Sequence, residues 1–61
     1  MKVSELIRIL KKNHCKLLRH GNSHDIWISQ ITGKRFIVPR HPSQEIPTGT
    51  LKKIKEDAGI Q

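Results

Sequence analysis

Two stretches with helical spacing enclose a run of β-favouring residues broken twice by tight turns, and this pattern limits the folds open to a chain of 61 residues. At the N-terminal end Val3, Leu6, Ile7 and Leu10 recur at i, i+3, i+4 and i+7, one apolar face of a helix. Ser4 is the expected N-cap, and Glu5 suits the positive end of the helix dipole. Lys11 and Lys12 suit the last turn, and Asn13, which tolerates the left-handed conformation, is the expected stop. Ile9 lies off the apolar face, so either the stripe is wide or Ile9 meets a partner.

The middle of the chain alternates strands and turns. Cys15 to His20 reads as a first strand, and Gly21-Asn22-Ser23 as a turn. His24 to Ile31 is the strongest strand signal, with Ile26, Trp27, Ile28 and Ile31. Thr32-Gly33-Lys34 reads as a hairpin turn, and Arg35 to Val38 as a third strand whose pairing Pro39 ends. Connections this tight imply an antiparallel meander. A loop with two prolines runs from Arg40 to Pro47. A second helix follows, capped by Thr48, with Leu51, Ile54 and Ala58 on its inner face. Gly59 has the place of a left-handed stop, and Ile60 that of the hydrophobic contact accompanying it. The expected fold is a single α+β domain over residues 1–61, in the order α-β-β-β-α, with two helices on one face of a three-stranded antiparallel sheet. The other sheet face is left to water or a partner. Trp27 alternates with Ile26 and Ile28, so the second strand sends apolar side chains both ways, a sign of partial cover in an assembly.

Charge narrows the function. Twelve Lys and Arg stand against five Asp and Glu, a net charge of +7. The cations are spread as Lys11-Lys12, Lys16, Arg19, Lys34-Arg35, Arg40 and Lys52-Lys53-Lys55, a charged folded surface and not a basic tail. Such a surface attracts nucleic acid, and an acidic protein could hold it in check. Neither helix has the bulky amphipathic character of a membrane-surface binder, no apolar run is long enough to cross a bilayer, and the start lacks a signal-peptide pattern. The single Cys15 cannot form an internal disulfide and reads as a small buried hydrophobe, consistent with a cytoplasmic protein.

Proton-transfer chemistry points to the turn Arg19-His20-Gly21-Asn22-Ser23-His24-Asp25-Ile26-Trp27. It sets His24 just after a glycine turn, at the start of a strand and among cations. An imidazole titrates near neutral pH, so it can give or take a proton there. RNA carries its own nucleophile, the 2′-hydroxyl, so a base, an acid and cations suffice to cleave it. Arg19 and Arg40 are candidates to clamp phosphate, because guanidinium matches phosphate geometry. Lys16 and Lys34 are expected to make generic backbone contacts. His20 and His41 are candidates for a second proton-transfer group. Asp25 alternates to the other side of the strand from His24, so it is not expected to orient that ring; it reads as a structural or partner-facing carboxylate. Trp27 could stack on a base, but a core or interface position is the commoner outcome. No Cys-x-x-Cys and no helical His-x-x-x-His occurs, so no metal site is expected, and no cofactor is called for.

In this order these elements resemble the HicA toxins, also described as YcfA-like mRNA interferases, which are small ribonucleases of type II toxin–antitoxin systems. The resemblance runs from Met1 to about Ile60. It is carried by Lys2, Glu5, Leu6 and Ile7; by Arg19-His20-Gly21 with His24-Asp25-Ile26-Trp27; by Pro39-Arg40-His41; and by Gly49-Thr50-Leu51 through Ile54 to Ala58-Gly59-Ile60. Many members read Gly-Ser-His-His where this chain reads Gly21-Asn22-Ser23-His24-Asp25, which sets it in a different branch. The resemblance implies a fold like that of double-stranded RNA-binding domains and a catalytic role for His24. It further implies an endoribonuclease that cleaves mRNA; that chemistry requires no metal, and on charge and side-chain chemistry the expected RNA contacts are Arg19, Arg40, Lys16, Lys34 and His41. A growth-arrest or stress-response role follows, with a HicB-like antitoxin as partner in a hetero-oligomer. Two rival readings stay open: a non-catalytic basic RNA-binding module of the same fold, and a protein-interaction subunit whose contact surface is the two-sided second strand.

Overall fold

The computed structural model describes residues 1–60. Helix α1 spans Val3–Lys12, strands β1, β2 and β3 span Cys15–His20, His24–Ser29 and Arg35–Pro39, and helix α2 spans Thr48–Ala58. The strands form one antiparallel sheet in the order β1-β2-β3, as the short connections require. The α-β-β-β-α order read from the sequence is the order of the fold.

Register shows what each sheet face carries. Cys15 lies opposite Ser29; Leu17, Trp27 and Phe36 share a row; His20, Asp25 and Val38 share the next. Because side chains alternate along a strand, these rows lie on one face. The helices cover it: Val3, Leu6, Leu10, Cys15, Trp27, Phe36, Val38, Ile46, Ile54 and Ala58 form the core. Each fully buried Leu contributes about 1.5–3 kcal/mol relative to exposure. The second set of rows is Lys16-Ile28-Arg35, then Arg19-Ile26-Ile37, then His24-Pro39, and it faces away from the helices. A register shift between Leu17 and Arg19 places Leu18 in a bulge of the β1 edge. Burial of the Cys15 thiol raises its pKa, with a hydrogen bond to Ser29 partly opposing; the residue packs as the small hydrophobe expected of it.

Four local expectations are corrected. The N-cap of α1 is Lys2, not Ser4. The loop after β3 does the capping instead: Val3 N–H donates to the Gln44 carbonyl and Ser4 N–H to that of Pro42, both at 3.0 Å, while the Glu5 carboxylate accepts the Lys2 N–H at 3.3 Å. The N-cap of α2 is Pro47, not Thr48, and its carbonyl accepts the Leu51 N–H at 2.9 Å. Asn13 is the C-cap of α1, as expected, but the left-handed residue is the next one, His14 (φ 65°), and Asn13 turns its side-chain amide back onto the Ile9 carbonyl at 2.8 Å. Strand β2 ends at Ser29, not Ile31. The buried Ser29 hydroxyl accepts the N–H groups of Ile31 (3.1 Å) and Thr32 (3.2 Å), which turns the chain before those residues can pair. The connection to β3 therefore begins before Thr32-Gly33-Lys34, with Gly33 at φ 74°.

The same hydroxyl donates to the Ala58 carbonyl at 2.8 Å, tying the sheet to the end of α2. Gly59 follows in the left-handed conformation (φ 76°), and Ile60 N–H returns to the Lys55 carbonyl at 2.9 Å while its side chain packs on the core, as the sequence implies. Replacing Ser29 with Ala leaves the Ala58 carbonyl and two turn amides without their partner. Urea denaturation should show a loss of about 1–3 kcal/mol; a change within error would mean that the hydroxyl is dispensable.

Candidate functional site

The turn between β1 and β2 is built by close backbone approach. Gly21 N–H donates to the His24 carbonyl at 2.7 Å, and a Cβ on Gly21 would lie 2.6 Å from that oxygen. Only glycine lets the two strands close at this point. The turn thus fixes the backbone of His24, whose side chain is exposed at the end of the open sheet face, opposite Pro39. Its Nδ1 lies 3.0 Å from the Ser23 hydroxyl. That hydroxyl serves either tautomer. It accepts from a protonated Nδ1, leaving Nε2 free as a base, or donates to a bare Nδ1, leaving Nε2–H as a donor.

On the other face the turn is anchored by Asp25. Its carboxylate is buried and accepts from His20 Nδ1 at 2.8 Å and from Arg40 Nε at 3.1 Å. A carboxylate only accepts, so His20 carries its proton on Nδ1 and presents Nε2 outward. Arg40 also donates from Nη2 to the Gly21 carbonyl. One carboxylate therefore joins the end of β1, the start of β2 and the segment after β3, and the arginine extends the joint to the turn glycine. The His20 hydrogen bond, aided by that of Arg40, holds the Asp25 carboxyl below its ordinary pKa, against a smaller opposing effect of desolvation.

The residues singled out from sequence fall into three places. His24 and Arg19 share the open face, Arg19 being in the row next to His24. Arg40 and His41 lead away from β3 beside the same turn; both are exposed, and Arg40 has its Nε and Nη2 engaged as described. Lys16 and Lys34 are not brought to His24. Lys16 lies opposite Ile28, four residues along β2, about 13 Å away at strand spacing, and Lys34 belongs to the turn at the far end of the sheet. His20 is not the free strand end that sequence alone allows, since Asp25 holds it. Asp25 takes the structural alternative: it points inward and orients His20 and Arg40, not His24. Strand parity signalled its direction, but its partners, His20 across the turn at the end of β1 and Arg40 just after β3, are set by strand pairing and not by local sequence. Trp27 is in the core and is not available to stack on a base. Among the described residues no three His, Cys, Asp or Glu gather where they could hold a metal ion, and no helix is long and apolar enough to cross a membrane.

Comparison with known proteins gives a family match. The family model described as the HicA toxin of bacterial toxin-antitoxin matches residues 3–60. No curated protein and no solved structure gives a significant match.

A carboxylate with a depressed pKa stabilises the fold above its unfolded pKa, and that contribution disappears as pH falls through the folded value. The stability difference between the wild-type chain and Asp25→Asn should be largest near neutral pH and shrink below about pH 4. Urea denaturation from about pH 7 to about pH 2 measures it. A difference independent of pH would show that the carboxylate's charge contributes nothing.

Proposed function

The chain belongs to the HicA toxin family of bacterial toxin–antitoxin systems, and from that premise we propose that it is an endoribonuclease whose proton-transfer group is His24. The observation that carries the reading is an exposed imidazole on a backbone tied by the Gly21 N–H and by the Asp25–Arg40 pair, with Ser23 on its inner nitrogen and its outer nitrogen without a protein partner among the described residues. Mobile histidines are common on protein surfaces. One fixed in this way, on a chain of net charge +7 and within a toxin family, supports catalysis.

The chemistry is the internal transfer that RNA allows. His24 takes the proton of a ribose 2′-hydroxyl, the 2′-oxygen attacks the adjacent phosphorus in line, and the bond from phosphorus to the 5′-oxygen breaks as that oxygen gains a proton from solvent. The products are a 2′,3′-cyclic phosphate and a 5′-hydroxyl. In the acid role the ring starts as the imidazolium, with Nδ1–H donated to the Ser23 hydroxyl, and gives its Nε2 proton to the leaving oxygen as it returns to the neutral form, while solvent takes the 2′-hydroxyl proton. Arg19 stands in the next row to stabilise phosphate charge. The exposed part of the Arg40 guanidinium and His41 flank the other side of the turn. Lys16 and Lys34, being distant, serve as contacts to neighbouring phosphates along an mRNA. The sequence requires no metal for this route. As a toxin the protein has an antitoxin partner; a HicB-like protein that bars RNA from His24 fits the family.

Replacing His24 with Ala should lower RNA cleavage by about 10²–10⁴-fold, with an unchanged circular dichroism spectrum. Retained cleavage would overturn the assignment of His24, and a wild-type chain that cuts no RNA would reduce the protein to a basic binding module. A DNA strand of the same sequence should bind without being cut, since it lacks the nucleophile, and EDTA should leave cleavage intact; DNA scission or sensitivity to EDTA would contradict the mechanism. Binding should weaken steeply as salt rises, by counterion release.

A further inference from the structure

Strand β3 is an edge of the sheet. Ser29 N–H donates to the Lys34 carbonyl at 3.0 Å, which fixes the alternation of the ladder between β2 and β3. Trp27–Phe36 and Asp25–Val38 are its next hydrogen-bonded pairs, so the N–H and C=O groups of Arg35 and Ile37 point away from β2. Among the described residues nothing accepts from those two N–H groups. An edge of this kind is a template for another strand. The opposite edge is protected, because β1 carries a bulge and projects Lys16 and Arg19. Strand β3 has an unbroken register and an apolar centre, Phe36-Ile37-Val38. Ile37 is 58 % exposed and continues the apolar strip that Ile26 and Ile28 make on the open face. A groove runs beside this edge, with Gly49, Thr50, Lys53, Ile54 and Asp57 of α2 as its other wall. A Cβ on Gly49 would meet nothing within 4 Å, so the groove is open there.

We propose that β3 pairs antiparallel with β3 of a second copy of the chain, joining two three-stranded sheets into one of six strands. The register selects this occupant. With a two-fold axis through Ile37, that residue faces the partner's Ile37, Phe36 faces the partner's Val38, and Arg35 faces the partner's Pro39. The two Ile37 exchange N–H to carbonyl bonds, and Arg35 N–H meets the carbonyl of the partner's Pro39. Both outward donors of each copy are then satisfied, and the residue without an N–H stands where the pairing ends. Charge agrees with this register. The two Arg35 lie four residues apart along the seam, about 13 Å, beyond the Debye length of about 8 Å. Centring the axis on Phe36 would bring them to about 7 Å. On the groove wall Lys53 is paired with Asp57 at 3.5 Å, so the wall adds no net charge. RNA fits this edge poorly, because phosphate only accepts hydrogen bonds and the outward carbonyls of Arg35 and Ile37 repel it, whereas a strand offers donors and acceptors in alternation. The open faces of the two copies lie on the same side of the joined sheet. The two His24 then stand about 20 Å apart, three strand spacings across and four residues along. On the ribonuclease reading one RNA can meet both; the pairing itself does not rest on that reading.

A seam this short is a small contact of the weak class, so the dimer is sought at about 0.1–1 mM. Sedimentation velocity of the purified chain should show a dimer in that range and a monomer at about 1 µM. Ile37→Cys should oxidise to a covalent dimer, because a hydrogen-bonded pair sets the two Cα atoms about 5.5 Å apart, within disulfide reach. Leu18→Cys, at 47 % exposure on the β1 bulge, should cross-link at least about tenfold more slowly, and the wild type with its buried Cys15 should not cross-link. Ile37→Pro removes an outward N–H and no bond to β2, and should weaken the dimer about tenfold or more. Ile37→Lys sets like charges directly opposite each other and should do the same. Thermal melts matching the wild type establish that the variants fold; if Ile37→Pro melts early, Ile37→Lys and the cross-link decide. A chain monomeric up to about 1 mM overturns the proposal, as does a dimer that Ile37→Lys leaves intact or an Ile37→Cys cross-link no faster than that of Leu18→Cys. If the wild type stays monomeric while Ile37→Lys weakens antitoxin or RNA binding, the edge belongs to that partner, which overturns the proposal too. A dimeric chain that cuts no RNA defeats the ribonuclease reading and leaves the pairing standing.

Discussion

Alternation along β2 governs this molecule. A strand sends successive side chains to opposite faces, and only one face of the sheet is covered by helices. Asp25, Trp27 and Ser29 therefore go inward and are buried, while His24, Ile26 and Ile28 go outward. The core, the clamp beneath the turn, the exposed imidazole and the apolar strip all follow from that parity. A slip of one residue would exchange the two sets, burying the histidine and exposing the tryptophan.

Each inward residue of β2 does a different task. Trp27 fills the space between the sheet and the helices. Ser29, though polar, is fully buried because its hydroxyl is saturated: it gives one hydrogen bond to Ala58 and takes two from the following turn. Among the described residues Asp25 is the one buried charge, at the edge of the core, and it is tolerated because His20 and Arg40 both donate to it. These polar groups sit at the two ends of β2. They secure the connections to β1 and β3 where a chain this small has little apolar surface to do so.

The division of labour around the first turn gives the functional reading its physical basis. His24 is exposed on one face while its support lies on the other, so the supporting charges do not compete for the ring. Arg40 was expected from sequence as a phosphate ligand; the fold gives it a structural duty as well, bridging Asp25 and the Gly21 carbonyl. Lys34 illustrates the converse. The sequence offers it as a generic backbone contact, and the fold sets it in the turn at the far end of the sheet from His24.

The sequence by itself determined the order of elements, the apolar faces of α1 and α2, the Gly59 stop and the opposite directions of His24 and Asp25. These depend on local periodicity and local turn chemistry, which neighbouring residues encode. Only the tertiary structure decided what caps α1, where β2 ends and what holds Asp25. The carbonyls of Pro42 and Gln44 reach α1 from a loop some forty residues away, Ser29 ends its strand partly through a bond to Ala58, and Asp25 finds Arg40 fifteen positions on. Partners of that kind meet only when the chain has closed on itself, so no window of sequence around either member contains the other.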